Sequence, residues 1–371
     1  MGTMTHIAGR AAFSKAVDIV LKNADKDREK EITKLVDLME KYMGSEKIDV
    51  DYNKVKELIC DKDKTLNKYI NRLLDEINPH VLKTTALNLG YEAFFHGTKT
   101  IRKMREVHDC NVPWLILMDP TSACNLHCTG CWAAEYGNKL NLTFDEMDSV
   151  ITQGKELGIY LYMFTGGEPL VRKEDIIKLC KKHSDCAFLA YTNGTLVDEK
   201  LCEQMVEVGN FYLAISLEGF EAVNDLRRGN GVYGKVMHAM ELLKQYGLIF
   251  GTSICYTSKN IETVTSDEFV DLMVEKGCRY AFYFHYMPVG NDAAPDLLPT
   301  KEQREYMYHR VREIRGATGG KPIYAMDFQN DGEFVGGCIA GGRNYCHINA
   351  NGDVEPCVFI HYSSANIREV T

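Results

Sequence analysis

Apolar positions along the first 110 residues recur at helical spacing. In "EKEITKLVDLMEKYMG", Ile32, Leu35, Val36, Leu38, Met39 and Met43 fall near one face, and Gly44 supplies a stop. "DYNKVKELI" and "TLNKYINRLLDEI" repeat the style, the latter ended by Pro79. "HVLKTTALNLGYEAFFHGTKTIRKMREV" predicts a further helical stretch, apolar first and basic afterwards. From about residue 112 the period changes. "VPWLILMDP", "YLYMFTGG", "CAFLAYTNG", "FYLAISLEG", "LIFGTSICYT" and "YAFYFHYMPVG" read as strands. Helical patterns lie between them, several ending at a glycine. Strands alternating with helices imply parallel βα units with right-handed crossovers, an α/β fold. In such folds ligands gather at the C-terminal ends of the strands. Those ends carry Cys124–Cys131, Gly166–Pro169, Asn193, Ser216 with Glu218, and Pro288. The plainer reading, ordinary turn chemistry, accounts for some of them. Beyond about 330 the chain is rich in Gly and Cys, and "INANGDVEP" predicts two short strands around an Asn-Gly turn.

Composition narrows the class. The 371 residues suffice for two or three domains, or one large barrel with additions. Charged residues make up 26% and the formal net charge is −9, which argues against a nucleic-acid binder, because phosphate contacts need clustered Lys and Arg. No secretory signal is visible at the start, and no apolar run approaches the ~18 residues of a membrane span. The 13 cysteines therefore point to a reducing cytoplasm and to metal or redox use rather than disulfides.

Three of them sit in "CNLHCTGCW", at Cys124, Cys128 and Cys131. A zinc site normally pairs two such hooks to reach four ligands, and no second hook stands at a matching distance. His127 adjoins Cys128, where simultaneous ligation is awkward. A thioredoxin-like pair would leave Cys124 unexplained. An iron–sulfur cubane takes four thiolates, so three leave one iron open to a substrate or cofactor. By spacing, an open cubane ranks ahead of structural zinc, and unliganded buried cysteines come third.

C-x3-C-x2-C after the first strand of a βα series resembles the signature of the radical S-adenosylmethionine (SAM) enzymes. Further motifs follow in that family's order: "TGGEPL" (Thr165–Leu170), "TNG" (Thr192–Gly194), "ISLEG" (Ile215–Gly219), "RRGNG" (Arg227–Gly231) and "FHYMPVG" (Phe284–Gly290). The match covers about residues 112–300. The resemblance implies a partial (β/α)6 TIM-like barrel over 111–325, behind an all-helical region over 1–110. It implies that Cys124, Cys128 and Cys131 hold a SAM-binding [4Fe-4S] cluster. Gly166, Gly167 and Glu168 would meet the SAM amino group, with Asn193 following the third strand. Ser216 and Glu218 would approach methionine and ribose, Arg228 (or Arg227) the carboxylate, and Pro288 the adenine side. A reduced cluster would cleave SAM to methionine and a 5′-deoxyadenosyl radical that takes hydrogen from a substrate. The glycines would admit backbone to the ligand, and Glu168 would pair with the ammonium; the plainer reading of Glu168 and Arg228 is a surface ion pair. A flavodoxin or ferredoxin would supply the electron. No catalytic side chain is singled out.

Cys338-x13-Gly352-x4-Cys357 resembles the opening of the SPASM and Twitch extensions, which hold auxiliary iron–sulfur clusters. Residues 326–371 are thus expected to form such an extension, incomplete, with Cys338, Cys346 and Cys357 as ligands of an auxiliary cluster. The plainer reading makes some of these buried hydrophobes. The remaining cysteines read as core residues, with Cys255 and Cys278 on barrel strands.

The substrate is open: a peptide or protein, or a hydrophobic small molecule or lipid. "ALNLGYEAFFHG", with Lys and Arg nearby, suits an apolar channel or peripheral membrane contact, though a helical layer packed on the barrel explains it more simply. Six tyrosines on the strands (160, 162, 191, 280, 283 and 286) are expected to turn partly inward. Two rivals stand beside a radical SAM oxidoreductase or carbon-bond-forming enzyme. One is a non-catalytic zinc or iron–sulfur scaffold; the other is a radical SAM methyltransferase.

Overall fold

The computed structural model describes residues 2–43, 51–133, 137, 139–290 and 292–370. Gly44, the expected helix stop, lies outside them. The N-terminal region is helical, as its periodicity predicts: α1 (Gly2–Met43, kinked at Asp27), α2 (Tyr52–Cys60), α3 (Thr65–Glu76) and α4 (Pro79–Thr85). A π-helical segment (Ala86–Gly97) then runs on into α5 (Thr98–His108). Pro79 sits at the start of α4, where its missing N–H costs nothing, with Asn78 capping.

The six expected strands are present. They are β1 (Leu115–Met118), β2 (Leu161–Phe164), β3 (Ala187–Thr192), β4 (Phe211–Ser216), β5 (Phe250–Tyr256) and β6 (Tyr280–His285). Helices α6 (Phe144–Leu157), α7 (Lys173–Lys182), α8 (Glu199–Val208), α9 (Glu221–Arg228), α10 (Val232–Gln245), α11 (Ile261–Thr265) and α12 (Asp267–Glu275) intervene. Local chemistry sets their ends. A Thr143–Glu146 capping box starts α6, and Gly158 ends it at φ +95°.

Three further strands enlarge the sheet. After α13 (Lys301–Ile314), β7 (Tyr324–Asp327) pairs parallel with β6 and spans the expected boundary at 325/326. The predicted hairpin forms as β8 (Tyr345–Ile348) and β9 (Val354–Glu355), but β8 also pairs parallel with β1, Leu115 beside Tyr345. The order is β7-β6-β5-β4-β3-β2-β1-β8-β9, an open, mostly parallel sheet.

Alternation along the strands separates two apolar layers. Ile116, Met118, Tyr162, Phe164, Phe188 and Ile254 face the helices. Leu115, Leu117, Leu161, Leu189, Tyr212 and Tyr280 face the concave side, with Tyr191, Phe282 and Leu89 of the π-helix packed against them. Of the six strand tyrosines, Tyr191 and Tyr280 turn inward, while Tyr160, Tyr162 and Tyr283 join the helix-facing layer. The π-helix contacts β3, and its buried Asn88 donates to the Ser184 and Cys186 carbonyls at the strand's entry. "ALNLGYEAFFHG" is therefore a layer packed on the sheet. Among the described residues no helix is long and apolar enough to cross a membrane.

Candidate cofactor site at the strand ends

β1 ends at Met118, and the chain runs through Asp119–Ala123 into the cysteine loop. Hydrogen bonds from three neighbours hold that loop. The Gly167 and Glu168 N–H groups donate to the Thr121 and Ala123 carbonyls (2.9 and 2.8 Å). Thr129 N–H donates to the Arg227 carbonyl (3.0 Å). Asn125 accepts from the Asn193 amide (2.8 Å) and donates to Thr195 Oγ1 (2.8 Å). Gly130, at φ +67°, is the fourth anchor: a Cβ there would lie 2.6 Å from the buried Tyr286 hydroxyl.

The glycines of "TGGE" serve this packing. A Cβ on Gly167 would meet the Ala123 carbonyl at 2.3 Å, and one on Gly166 the Thr121 carbonyl at 2.7 Å. Their bareness brings the two loops together. Glu168 is buried rather than a surface ion pair. Its Oε1 accepts from Thr192 Oγ1 (2.7 Å) and Leu170 N–H (2.9 Å), and its Oε2 from Asn193 N–H (2.7 Å). Burial raises its pKa, and these donors oppose the rise.

The end of β4 brings the opposite charge. Glu218 is fully buried, and its Oε1 accepts from Arg227 Nη1 (2.7 Å) and from Arg228. Its Oε2 and Arg227 Nε are buried without a hydrogen-bond partner. Arg228 Nη1 lies 3.9 Å from Cys128 Sγ, and the Asn193 amide 4.0 Å from Cys124 Sγ. Burial raises the Cys124 thiol to about 11 and lifts Cys128 too, the latter against the two arginines. Cys255 on β5 is pushed to about 11 by burial, beside Arg227. Ser216 stands next to Ser253 across β4 and β5. Pro288 is exposed in the loop after β6; Gly290 of that loop approaches the Trp132 carbonyl, so the segment cups the end of the cysteine loop.

Chemically the site offers three thiols, a buried arginine pair on one glutamate, and unsatisfied polar atoms. His127 is exposed.

A second polar group, unforeseen in the sequence, lies beside Trp132. Asp119 meets His347 Nε2 at 3.0 Å, His347 Nδ1 meets Glu355 at 2.8 Å, and all three are buried. The edge of His347 faces the Trp132 ring, and His361 stacks on it. The C-terminal cysteines divide. Cys357 accepts from the Tyr345 hydroxyl (3.2 Å), and Cys338 is close enough to act on the same phenol. Cys346, next in the strand, points to the helix-facing layer. Strand alternation thus sets Cys346 on the face opposite Tyr345.

Comparisons with known proteins agree with this arrangement. Residues 118–275 match the family model of the Radical SAM superfamily, from the end of β1 through α12. That matched segment is a radical SAM domain. The AdoMet-dependent heme synthase of Methanosarcina barkeri is 26% identical over 285 residues, 70% of this chain and 80% of that protein. The PqqA peptide cyclase of Granulibacter bethesdensis is 26% identical over 258 residues, 66% of this chain and 67% of that one. Streptococcus suis SuiB bound to S-adenosylmethionine shares the fold at TM-score 0.59 and 16% identity, over 86% of this chain and 75% of that one. This radical SAM enzyme uses a [4Fe-4S] cluster and SAM, and its chemistry is reductive SAM cleavage.

Proposed function

We propose that Cys124, Cys128 and Cys131 carry the SAM-binding cluster, and that the ends of β2, β3 and β4 seat SAM against it. The observation that carries this is the cysteine loop itself. It is pinned by Gly167, Glu168, Asn193 and Arg227, with Asn193 and Arg228 facing two of its sulfurs. A reduced cluster held there would supply the one electron that cleaves the SAM sulfonium bond to methionine and a hydrogen-abstracting 5′-deoxyadenosyl radical. The chain supplies orientation and exclusion of water. Glu168, held by three donors, faces the ammonium end. Glu218 Oε2, buried and unpaired, takes a ribose hydroxyl, since an orphaned carboxylate oxygen is costly. Arg228, with Arg227, binds the carboxylate while anchored on Glu218. Gly166 and Gly167 shape the seat, Ser216 lines it, and Pro288 covers the adenine side.

The substrate reading is a hydrophobic small molecule of the tetrapyrrole class. The heme synthase relative supports it, as does the aromatic concave face, where Tyr191, Phe284 and Phe328 touch in series. A peptide remains the rival, on the strength of the PqqA cyclase. Against it, residues 2–43 and 51–108 contain no strand of the kind a winged-helix leader-binding module needs. Cys338 and Cys357 would begin an auxiliary cluster site, without Cys346. A flavodoxin or ferredoxin would deliver the electron, and the thirteen unpaired cysteines favour a reducing, anaerobic cytoplasm.

The test is anaerobic reconstitution with iron and sulfide, then dithionite and SAM. Release of 5′-deoxyadenosine, abolished by Cys128→Ala, supports the cluster assignment; equal release by that variant sinks it. Adding iron-coproporphyrin or a precursor peptide then separates the substrate readings. The true class should raise the rate and leave a product altered by loss or transfer of hydrogen. S-adenosylhomocysteine with a methylated product would favour methyl transfer.

A further inference from the structure

Away from the cofactor site, two imidazoles and a carboxylate meet on the floor of the sheet. His6 lies near the start of α1, while Glu92 and His96 lie four residues apart in the π-helix. His6 Nε2 is 2.8 Å from Glu92 Oε2, and the ligand atoms of all three residues lie within 4.8 Å of one another, the one such trio among the described residues. The His6 and His96 rings stack with centroids 3.8 Å apart and planes at 12°. Glu92 is fully buried and both histidines are half-buried.

The surroundings orient the carboxylate. Arg10 holds the other glutamate oxygen, Nε to Oε1 at 2.6 Å, and donates from Nη2 to Asn88 Oδ1. Glu92 Oε2 is thereby left facing the imidazoles, in the way outer partners orient metal-binding carboxylates. A His6–Glu92 ion pair alone explains two of the three residues. It does not explain His96, whose ring makes no hydrogen bond among the described residues, stacks on His6 and meets Tyr160 at a tilt. The π-helix adds a second observation: such wide turns are rare and concentrate at functional sites.

We propose that His6, Glu92 and His96 form a mononuclear site for a divalent transition metal of the zinc class, which clamps α1 onto the π-helix beneath the sheet. Neutral imidazole with one carboxylate is a donor set that zinc accepts. Rotation of the two rings closes the trio to ligand distance, and water takes the fourth position on the half-exposed side.

The holoenzyme tests this once its cysteine sites are filled by anaerobic reconstitution with iron and sulfide. It is exposed to zinc sulfate, passed through gel filtration and analysed for zinc and iron. The wild type should retain about one zinc per chain and gain roughly 2–6 °C in Tm over a zinc-free sample. His96→Ala and His6→Gln should each lose both effects, with iron content and 5′-deoxyadenosine release unchanged. The two variants sit on different helices, so impaired folding of one leaves the other as the test. Zinc retained equally by the variants, or none retained by the wild type, overturns the site.

Discussion

Gly167 shows how little room the cofactor loop has. Any Cβ there points into the Ala123 carbonyl at 2.3 Å. Gly167→Ala should therefore cost roughly 1–3 kcal/mol and lower the iron bound per chain, read from a urea midpoint and an iron assay. Gly234, inside α10, has nothing within 4 Å. Gly234→Ala should instead stabilise by roughly 0.5–1 kcal/mol. His347 gives a pH dependence. Burial lowers its pKa, but the Asp119 and Glu355 carboxylates more than offset that and lift it from 6.5 to about 9. The resulting stabilisation is fully present below pH 6.5 and is lost as pH rises through 9. Thermal melts should weaken across that window, by on the order of 3 kcal/mol, and His347→Gln should flatten the slope. Cys124, Cys128 and Cys131 were legible because eight residues contain them. Asp119, His347 and Glu355 were not, because only the pairing of β8 with β1 brings them together.

At the scale of elements, periodicity served where one face is buried. The helices of the first 110 residues and the six strands appear where the pattern put them. Short pieces escaped it. β7 is four residues long with an exposed Tyr324, so its apolar signal is slight. For Cys346, spacing along the chain does not tell which face of a strand a residue takes; Tyr345 and Cys346 necessarily point opposite ways. In the capping box of α6, Arg368 also binds Glu146 and pulls its carboxyl down to about 2. Thr143→Ala should cost about 1 kcal/mol in a denaturant titration, since it strands an N-terminal N–H.

For the whole molecule, α3 matters most. Arg279 is almost wholly buried at the start of β6, and Glu76 of α3 pairs with it at 2.7 Å. Arg72 of the same helix donates to the Val274, Cys278 and Pro322 carbonyls. Glu76→Ala leaves a buried guanidinium uncompensated and should destabilise by about 3 kcal/mol. Circular dichroism in urea should show one cooperative transition shifted to lower urea. A separate early transition would mark the helical region as a unit of its own.

The union of β1 with β8 also has a consequence for how the chain is born. β1 leaves the ribosome with all four of its residues destined for burial, yet its second neighbour lies far down the chain. Until Tyr345 emerges, Leu115–Met118 stays an apolar edge, and the cysteine loop hangs from a strand paired on one side only. Cluster loading should therefore wait for β8, and nascent chains stalled short of it should be the ones that chaperones hold.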